Sequence, residues 1–449
     1  MVSATEDDKN SGSELIAKSG EEKQKDNEEE PESLLVFFLQ ATPALILAAL
    51  GTIFTGYLYN IAEGSEFFSE IREAFMVAPP ILGLKGNIEM TLVSRLSTMA
   101  HRKSTKAKWK DWFFSLYVNL TLLWTQAFFL TVATCLLTSV ALAFENTILG
   151  KDVIILFSSA LTSTTLAAVI LGTIMCFLVC FSIYIKANPD NIATPLSASA
   201  SDVVTLTLFM YIGTGEIKLE RIHYAINLIP IILNIIMLPG MIYVAFMNDD
   251  TRPTLLFGWT FLVLAVLLSS LGGYIFKWAS AHYPNSVIFQ PLLSSLCGNR
   301  ASIMCSRLST EYNVSNEKKT STLNDSLLHL CSPVTVFGCK DSHSKCGVLL
   351  IVTAVPFQWL FVIVLSFIYK GPNEVWFMVM LVAASLVQVT FLIYLSHCLV
   401  ALFSRFDLDP DNCTIPVITS LGDLTGAGML YFVCFIAHKI VPQTLETPI

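Results

Sequence analysis

Eleven stretches of about 20 or more mostly apolar residues follow one another along the chain, at roughly 34–59, 75–100, 112–144, 153–186, 192–213, 224–248, 254–279, 285–310, 347–370, 374–404 and 413–438. A helix needs about 20 such residues to cross the hydrocarbon core of a bilayer. No water satisfies backbone N–H and C=O groups there, so only helices and closed barrels can span it. Runs this long predict helices. Charged residues make up 14% of the chain, against about 25% in soluble domains. The expected fold class is an all-α membrane protein with about eleven transmembrane helices.

The net charge of −8 is unevenly spread. Residues 1–33 contain the run Glu21-Glu22-Lys23-Gln24-Lys25-Asp26-Asn27-Glu28-Glu29-Glu30 and almost nothing apolar. Such a segment cannot offset its ordering entropy, so a disordered acidic tail is expected. It lacks the basic start of a secretory signal, and 34–59 is expected to act as an uncleaved anchor. Loop charges set the orientation. With the N-terminus inside, inner loops carry twelve Lys and Arg (among them Arg102, Lys103, Lys106, Lys108, Lys110, Lys318 and Lys319). Outer segments carry six: Arg72, Lys151, Lys218, Arg221, Lys370 and Lys439. This bias follows the positive-inside rule and predicts a cytosolic N-terminus. Aromatic clusters at span ends, Phe67-Phe68 and Trp112-Phe113-Phe114, read as interface anchors.

Two motifs recur in the same order. Pro79, Gly86, Asn87 and Ser94-Arg95-Leu96-Ser97-Thr98 return at one constant offset as Pro291, Gly298, Asn299 and Ser306-Arg307-Leu308-Ser309-Thr310. Pro189-Asp190-Asn191, Pro195 and Asp202 return, again with their internal spacing kept, as Pro410-Asp411-Asn412, Pro416 and Asp423. Such self-similarity marks an internal repeat. Each repeat holds five spans, and an odd count would invert the second copy. The extra helix at 224–248 restores the direction, so the halves are expected to be parallel, related by an axis along the membrane normal.

Ionisable groups at membrane depth cost about 2.5–3.5 kcal/mol at a helix centre and persist where they serve a partner or water. Asp202 and Asp423 each lie seven residues after a proline, about 10 Å into a helix at 1.5 Å per residue. One from each half, facing each other, they would repel unless a divalent cation satisfied both. Magnesium is hard, prefers oxygen, keeps several waters and takes one or two carboxylates. No His or Cys pair accompanies the aspartates, which argues against zinc or copper as the transported ion. The competing reading is that each Asp pairs with Arg95 or Arg307.

The helices bearing Asn87 and Asn299 are interrupted by Pro79, Pro80, Gly83 and Gly86 in the first half, and by Pro291 and Gly298 in the second. Irregular backbone at membrane depth is tolerated where it lines a cavity. Freed carbonyls and the two Asn amides are therefore candidate ligands for ion-bound water. Gly86, Gly298, Pro195 and Pro416 are set beside them as candidate pore residues. Glu89, absent from the second half where Ala301 stands, has two readings: ligand for a coupling ion or proton, or neutraliser of Lys85 one turn away.

Eleven cysteines are present, most within apolar runs, where Cys behaves as a small hydrophobe. Cys331, Cys339, His343 and Cys346 have ligand types that suit zinc, but at spacings of no standard site; reduced thiols in a cytosolic loop are the expectation. Asn119, Asn313 and Asn324 head glycosylation sequons expected to stay unmodified. No nucleotide loop, catalytic triad or nucleic-acid motif stands out. Neither an enzyme nor a nucleic-acid partner is expected, and no cofactor beyond magnesium as the transported substrate.

Leu84-Lys85-Gly86-Asn87-Ile88-Glu89-Met90-Thr91-Leu92 with Ser94-Arg95-Leu96-Ser97-Thr98 resembles the first-repeat motif of solute carrier family 41, the animal relatives of bacterial MgtE. Asn188-Pro189-Asp190-Asn191, Ala193-Thr194-Pro195 and Gly422-Asp423-Leu424 are similar to its other signatures. The resemblance implies a fold that mimics an MgtE dimer in one chain: a first MgtE-like repeat at 34–213, a linker with one helix at 214–253, a second repeat at 254–440 and a tail at 441–449. It implies that Asp202 and Asp423 match the central magnesium-binding aspartates and that Asn87 and Asn299 match pore-lining positions. Magnesium transport follows, with sodium as counter-ion in some members; an uncoupled magnesium channel and a transporter of other divalent cations are the alternatives. The expected setting is the lipid bilayer of the plasma membrane. Ser201 before Asp202, where the family pattern has Gly, and Cys297 before Gly298 depart from the motif.

Overall fold

The computed structural model describes residues 34–103, 109–145, 150–184, 189–249, 251–317, 331–339, 342–369, 374–406, 408 and 410–440. The expected tails at 1–33 and 441–449, and the loop positions Lys106, Lys108, Lys318, Lys319 and Asn324, lie outside the described residues. Two compact units divide after Leu39. Of the first, the described part is the opening of one helix; the second, Gln40–Ile449, holds the site.

Eleven helices of twenty residues or more occur among the described residues: α1 (Leu34–Glu63), α2 (Ala74–Lys103), α3 (Trp109–Glu145), α4 (Gly150–Tyr184), α5 (Pro189–Glu220), α6 (Leu228–Met247), α7 (Trp259–His282), α8 (Ser295–Glu317), α9 (Ser342–Tyr369), α10 (Val375–Arg405) and α11 (Pro410–Ile440). No strand occurs among the described residues. Eight of the helices are long and apolar enough to cross a membrane. They make this an integral membrane protein. α2, α5 and α8 hold no such stretch among their described side chains. They carry Lys85, Asn87, Glu89, Asp202, Asn299 and Arg300, all buried. α2 packs against α3, α4, α5, α7 and α11, and α8 against α5, α9, α10 and α11. Neighbouring helices thus cover polar side chains that lipid would not accept.

α6 is the opposite case. Only 6% of its apolar window is buried, and it rests on α3 and α4 at the edge of the first half. Ile229, Ile232, Leu233, Ile236 and Met237 are exposed, as suits a helix surrounded by hydrocarbon.

Prolines and glycines shape the middle. α2 runs unbroken through Pro79 and Pro80, contrary to the expected interruption. In the second half the break is real: a 3₁₀ turn (Pro284–Phe289) and a short helix (Gln290–Leu293) precede α8, with Ser294 between them. Pro80 has no N–H for the Met76 carbonyl, and Gly273 of α7 packs onto that carbonyl; Gly56 of α1 packs onto the Ile288 carbonyl. Any side chain at either glycine would collide with backbone. Phe67 and Phe68 are not interface anchors. Both are buried, and their rings meet Phe209 edge-on at 5.1 and 5.8 Å. Ser65 caps the short helix Glu66–Glu70 and turns the chain inward there.

A two-carboxylate cavity between matched halves

Asp202 of α5 and Asp423 of α11 line one small cavity. Its wall is built from matched positions. Pro79 and Pro291, Leu82 and Ser294, Gly83 and Ser295 each contribute, and each pair keeps the offset that relates Asn87 to Asn299. The Asp pair adds the equivalent positions of the second motif. Thr55 and Tyr59 of α1 complete the wall.

The polar groups facing this space all bear oxygen: two carboxylates and the hydroxyls of Thr55, Tyr59, Ser294 and Ser295. No nitrogen or sulfur ligand joins them. Among the described residues no cluster of three or more His, Cys, Asp or Glu could hold a metal ion. The donor set therefore suits a hard cation that needs few carboxylates. The cavity measures about 30 Å³. One water takes about 10–15 Å³ on this scale, so two or three oxygens fit, fewer than the six of an intact magnesium shell.

Neither aspartate has an ion-pair partner among the described residues, so the competing pairing with arginine is not what they do. Serines hold them instead. Ser295 donates across the halves to Asp202 Oδ2, and Ser269 of α7 donates to Asp423 Oδ2 at 2.8 Å. The position equivalent to Ser295 is Gly83, and a Cβ there would strike Asp423 Oδ2. Each carboxylate is thus met by the same helix position of the opposite half, once by a hydroxyl and once by bare backbone. Gln388 of α10 fixes α11 around Asp423, donating to the Gly422 carbonyl at 2.9 Å and to Thr425 Oγ1 at 3.1 Å.

The other predicted residues sit off the cavity wall. Asn87 Oδ1 accepts from Thr419 Oγ1 of α11, and Asn87 Nδ2 has no partner. The repeat puts Ala198, without a hydroxyl, where Thr419 stands; Asn299 Nδ2 is also unpartnered. Glu89 is ion-paired to Lys85 at 2.7 Å, with both side chains buried; this is the neutralising reading, and Glu89 Oε2 is left without a partner. Gly298 faces α11, where an added Cβ would meet Thr419 Cα at 3.9 Å. The Pro416 carbonyl accepts from the Thr419 and Ser420 hydroxyls. Gly86 lies in α2 beside Asn87. Pro195 is in α5, but its side chain lies outside the described ones.

Sequence reasoning missed Tyr59. Its signal is a third repeat: Gly56-Tyr57-Leu58-Tyr59 returns in the second half as Gly273-Tyr274-Ile275-Phe276. Tyr59 and Phe276, equivalent in this alignment, meet edge-on at 5.5 Å, a favoured aromatic arrangement. The reciprocal contacts of Gly56 and Gly273 follow the same exchange.

In the Cys331–Cys346 segment none of the three cysteines forms a disulfide. The Cys331 carbonyl accepts from Tyr394 of α10 at 2.9 Å.

Comparison with known proteins places these residues in a family. The family model MgtE, described as a divalent cation transporter, matches residues 78–212 and 290–433. Human solute carrier family 41 member 2 is 30% identical over 409 residues, covering 89% of this chain and 70% of that protein. Rat solute carrier family 41 member 3 is 29% identical over 415 residues, covering 90% and 88%. No solved structure matches the chain.

Proposed function

Because the chain belongs to the MgtE family of divalent cation transporters, we propose that it carries magnesium across a membrane, with Asp202 and Asp423 binding the ion. The observation that carries this reading is the meeting of those two carboxylates, from matched positions, in one oxygen-lined cavity. A divalent ion there relieves their mutual repulsion. The hydroxyls of Thr55, Tyr59, Ser294 and Ser295 take the place of lost shell waters, and Asn87 and Asn299 orient water on the approach.

The proposed frame has eleven spans: two parallel five-helix repeats joined by α6, with the N-terminus in the cytosol of a plasma membrane. The reciprocal contacts Gly56–Ile288 and Gly273–Met76 support it, since they exchange under the repeat. In this frame Tyr59–Phe276 closes the outer side of the cavity and Asn87–Thr419 the inner side. Magnesium dehydrates reluctantly, so a cavity for two or three oxygens is a closed state. One side opens as α1 and α7 part, the other as α2 and α11 part. Such alternation suits sodium-coupled exchange.

The family description, divalent cation transporter, favours a second reading in which other divalent ions share the path. An uncoupled channel is the remaining alternative. Purified protein in vesicles separates them. Asp202→Asn and Asp423→Asn should each lower magnesium flux by at least about thirtyfold, since losing one buried charged ligand costs about 2–5 kcal/mol. Flux unchanged in both variants would remove the site. Imposing a sodium gradient should drive magnesium in the exchanger and leave a channel indifferent, and a metal competition series ranks the ions.

A further inference from the structure

The second half carries a buried positive charge with no protein counter-charge among the described residues. Arg300 of α8 is fully buried. Its Nη1 donates to the Leu296 carbonyl at 3.0 Å, and its guanidinium lies 5.2 Å from the centre of the Phe357 ring of α9. Nε and Nη2 have no partner. A guanidinium stays charged at any physiological pH, so the site cannot neutralise itself by losing a proton.

Carboxylates are missing from the neighbourhood. α9 and α10 contain no Asp or Glu, and α8 has only Glu311 and Glu317, eleven and seventeen residues on. At 1.5 Å per residue the nearer is about 16 Å along the helix. Asp202 of α5 and Asp423 of α11 both face the cavity, where they accept from Ser295 and Ser269. In the first half the same stretch of helix solves this internally, through Lys85–Glu89; the equivalent positions here are Cys297 and Ala301.

A second group points the same way. Gln358, next to Phe357 on α9, is fully buried, and its Oε1 has no partner. Cys297 ties the two together, lying within electrostatic reach of Arg300 and hydrogen-bonding reach of Gln358. Buried amide and guanidinium N–H groups are costly when left unpaired. Two unsatisfied donors, Arg300 Nε and Arg300 Nη2, are thus left buried where α8 meets α9, near the Gln358 amide. We propose that they bind a small monovalent anion, chloride in the first place, as a resident counter-ion of the second half.

The full chain, purified without magnesium, tests this. Replacing gluconate by chloride or bromide at constant ionic strength should raise the unfolding temperature by about 2–4 °C. Gln358→Glu supplies a carboxylate beside Arg300, and Arg300→Met removes the charge; both should abolish the anion-dependent rise. Bromide should give an anomalous scattering peak at Arg300 in crystals. If Arg300→Met fails to fold, Gln358→Glu still decides. Equal unfolding temperatures in gluconate and chloride would overturn the proposal. So would an anion-dependent rise that persists in folded Gln358→Glu.

Discussion

The helices that carry Asn87 and Asn299 descend from one motif yet settle their charges differently. α2 is continuous and contains its own buried ion pair, Lys85–Glu89. Its counterpart begins at a break beside Ser294 and buries Arg300 without a carboxylate. Around the cavity the two motifs agree: prolines 79 and 291, aspartates 202 and 423, and glycines 56 and 273 occupy matched places. Away from the cavity they part. The lesson is that the site, which needs both copies at once, restrains its residues in pairs, whereas each helix's outward face answers only to its own neighbours.

The largest effect that should expose this difference is on stability. Lys85→Met leaves Glu89 buried without its partner and should cost about 3–5 kcal/mol. Adding Glu89→Gln should recover most of that loss. Equilibrium unfolding of the single and double variants checks it, and equal losses in both would mean the pair is not coupled. A smaller effect concerns the matched pair Gly83 and Ser295. Ser295→Ala deletes a hydrogen bond to a carboxylate, worth about 1.5–3 kcal/mol. Gly83→Ala instead drives a methyl into Asp423 Oδ2 and should re-aim that side chain. Its expected outcome is a roughly tenfold fall in magnesium flux, equivalent to about 1.4 kcal/mol, with little change in unfolding temperature. Were Gly83→Ala to transport normally, the close approach of α2 to Asp423 would be irrelevant to the ion.

Much of the fold was legible because lipid leaves a chain few options. Every apolar run of sufficient length became a helix, with boundaries shifted by a few residues to about ten. The two aspartates stood out since a charge inside such a run needs a reason. Other parts were hidden for physical causes. Tyr57-Leu58-Tyr59 and Tyr274-Ile275-Phe276 lie inside apolar runs and carry no charge, and the one polar difference is the hydroxyl that Tyr59 has and Phe276 lacks, so no charged residue flagged the third repeat. Ser295 and Ser269 look like ordinary small residues until packing shows which face meets a carboxylate. Phe67 and Phe68 were assigned to the interface from their position at a span end, but Phe209 offered them a core to enter. The close approach of Gly273 to the Met76 carbonyl beside the two prolines of α2 comes from another helix, so nothing local to the prolines announced it.

The polar character of two helices has a bearing on how the molecule is made. α2, with Lys85, Asn87 and Glu89, and α8, with Asn299, Arg300 and Arg307, are too polar to partition into hydrocarbon one at a time, so their entry must wait for companions such as α3 and α10. Biogenesis then resembles assembly at a protected seam more than a sequence of independent insertions. In a chain cut after α2, a reporter fused there should be translocated, because α2 alone does not turn the chain back, and it should return to the N-terminal side once the segments through α5 are present; a reporter already on the N-terminal side in the shortened chain would contradict that order.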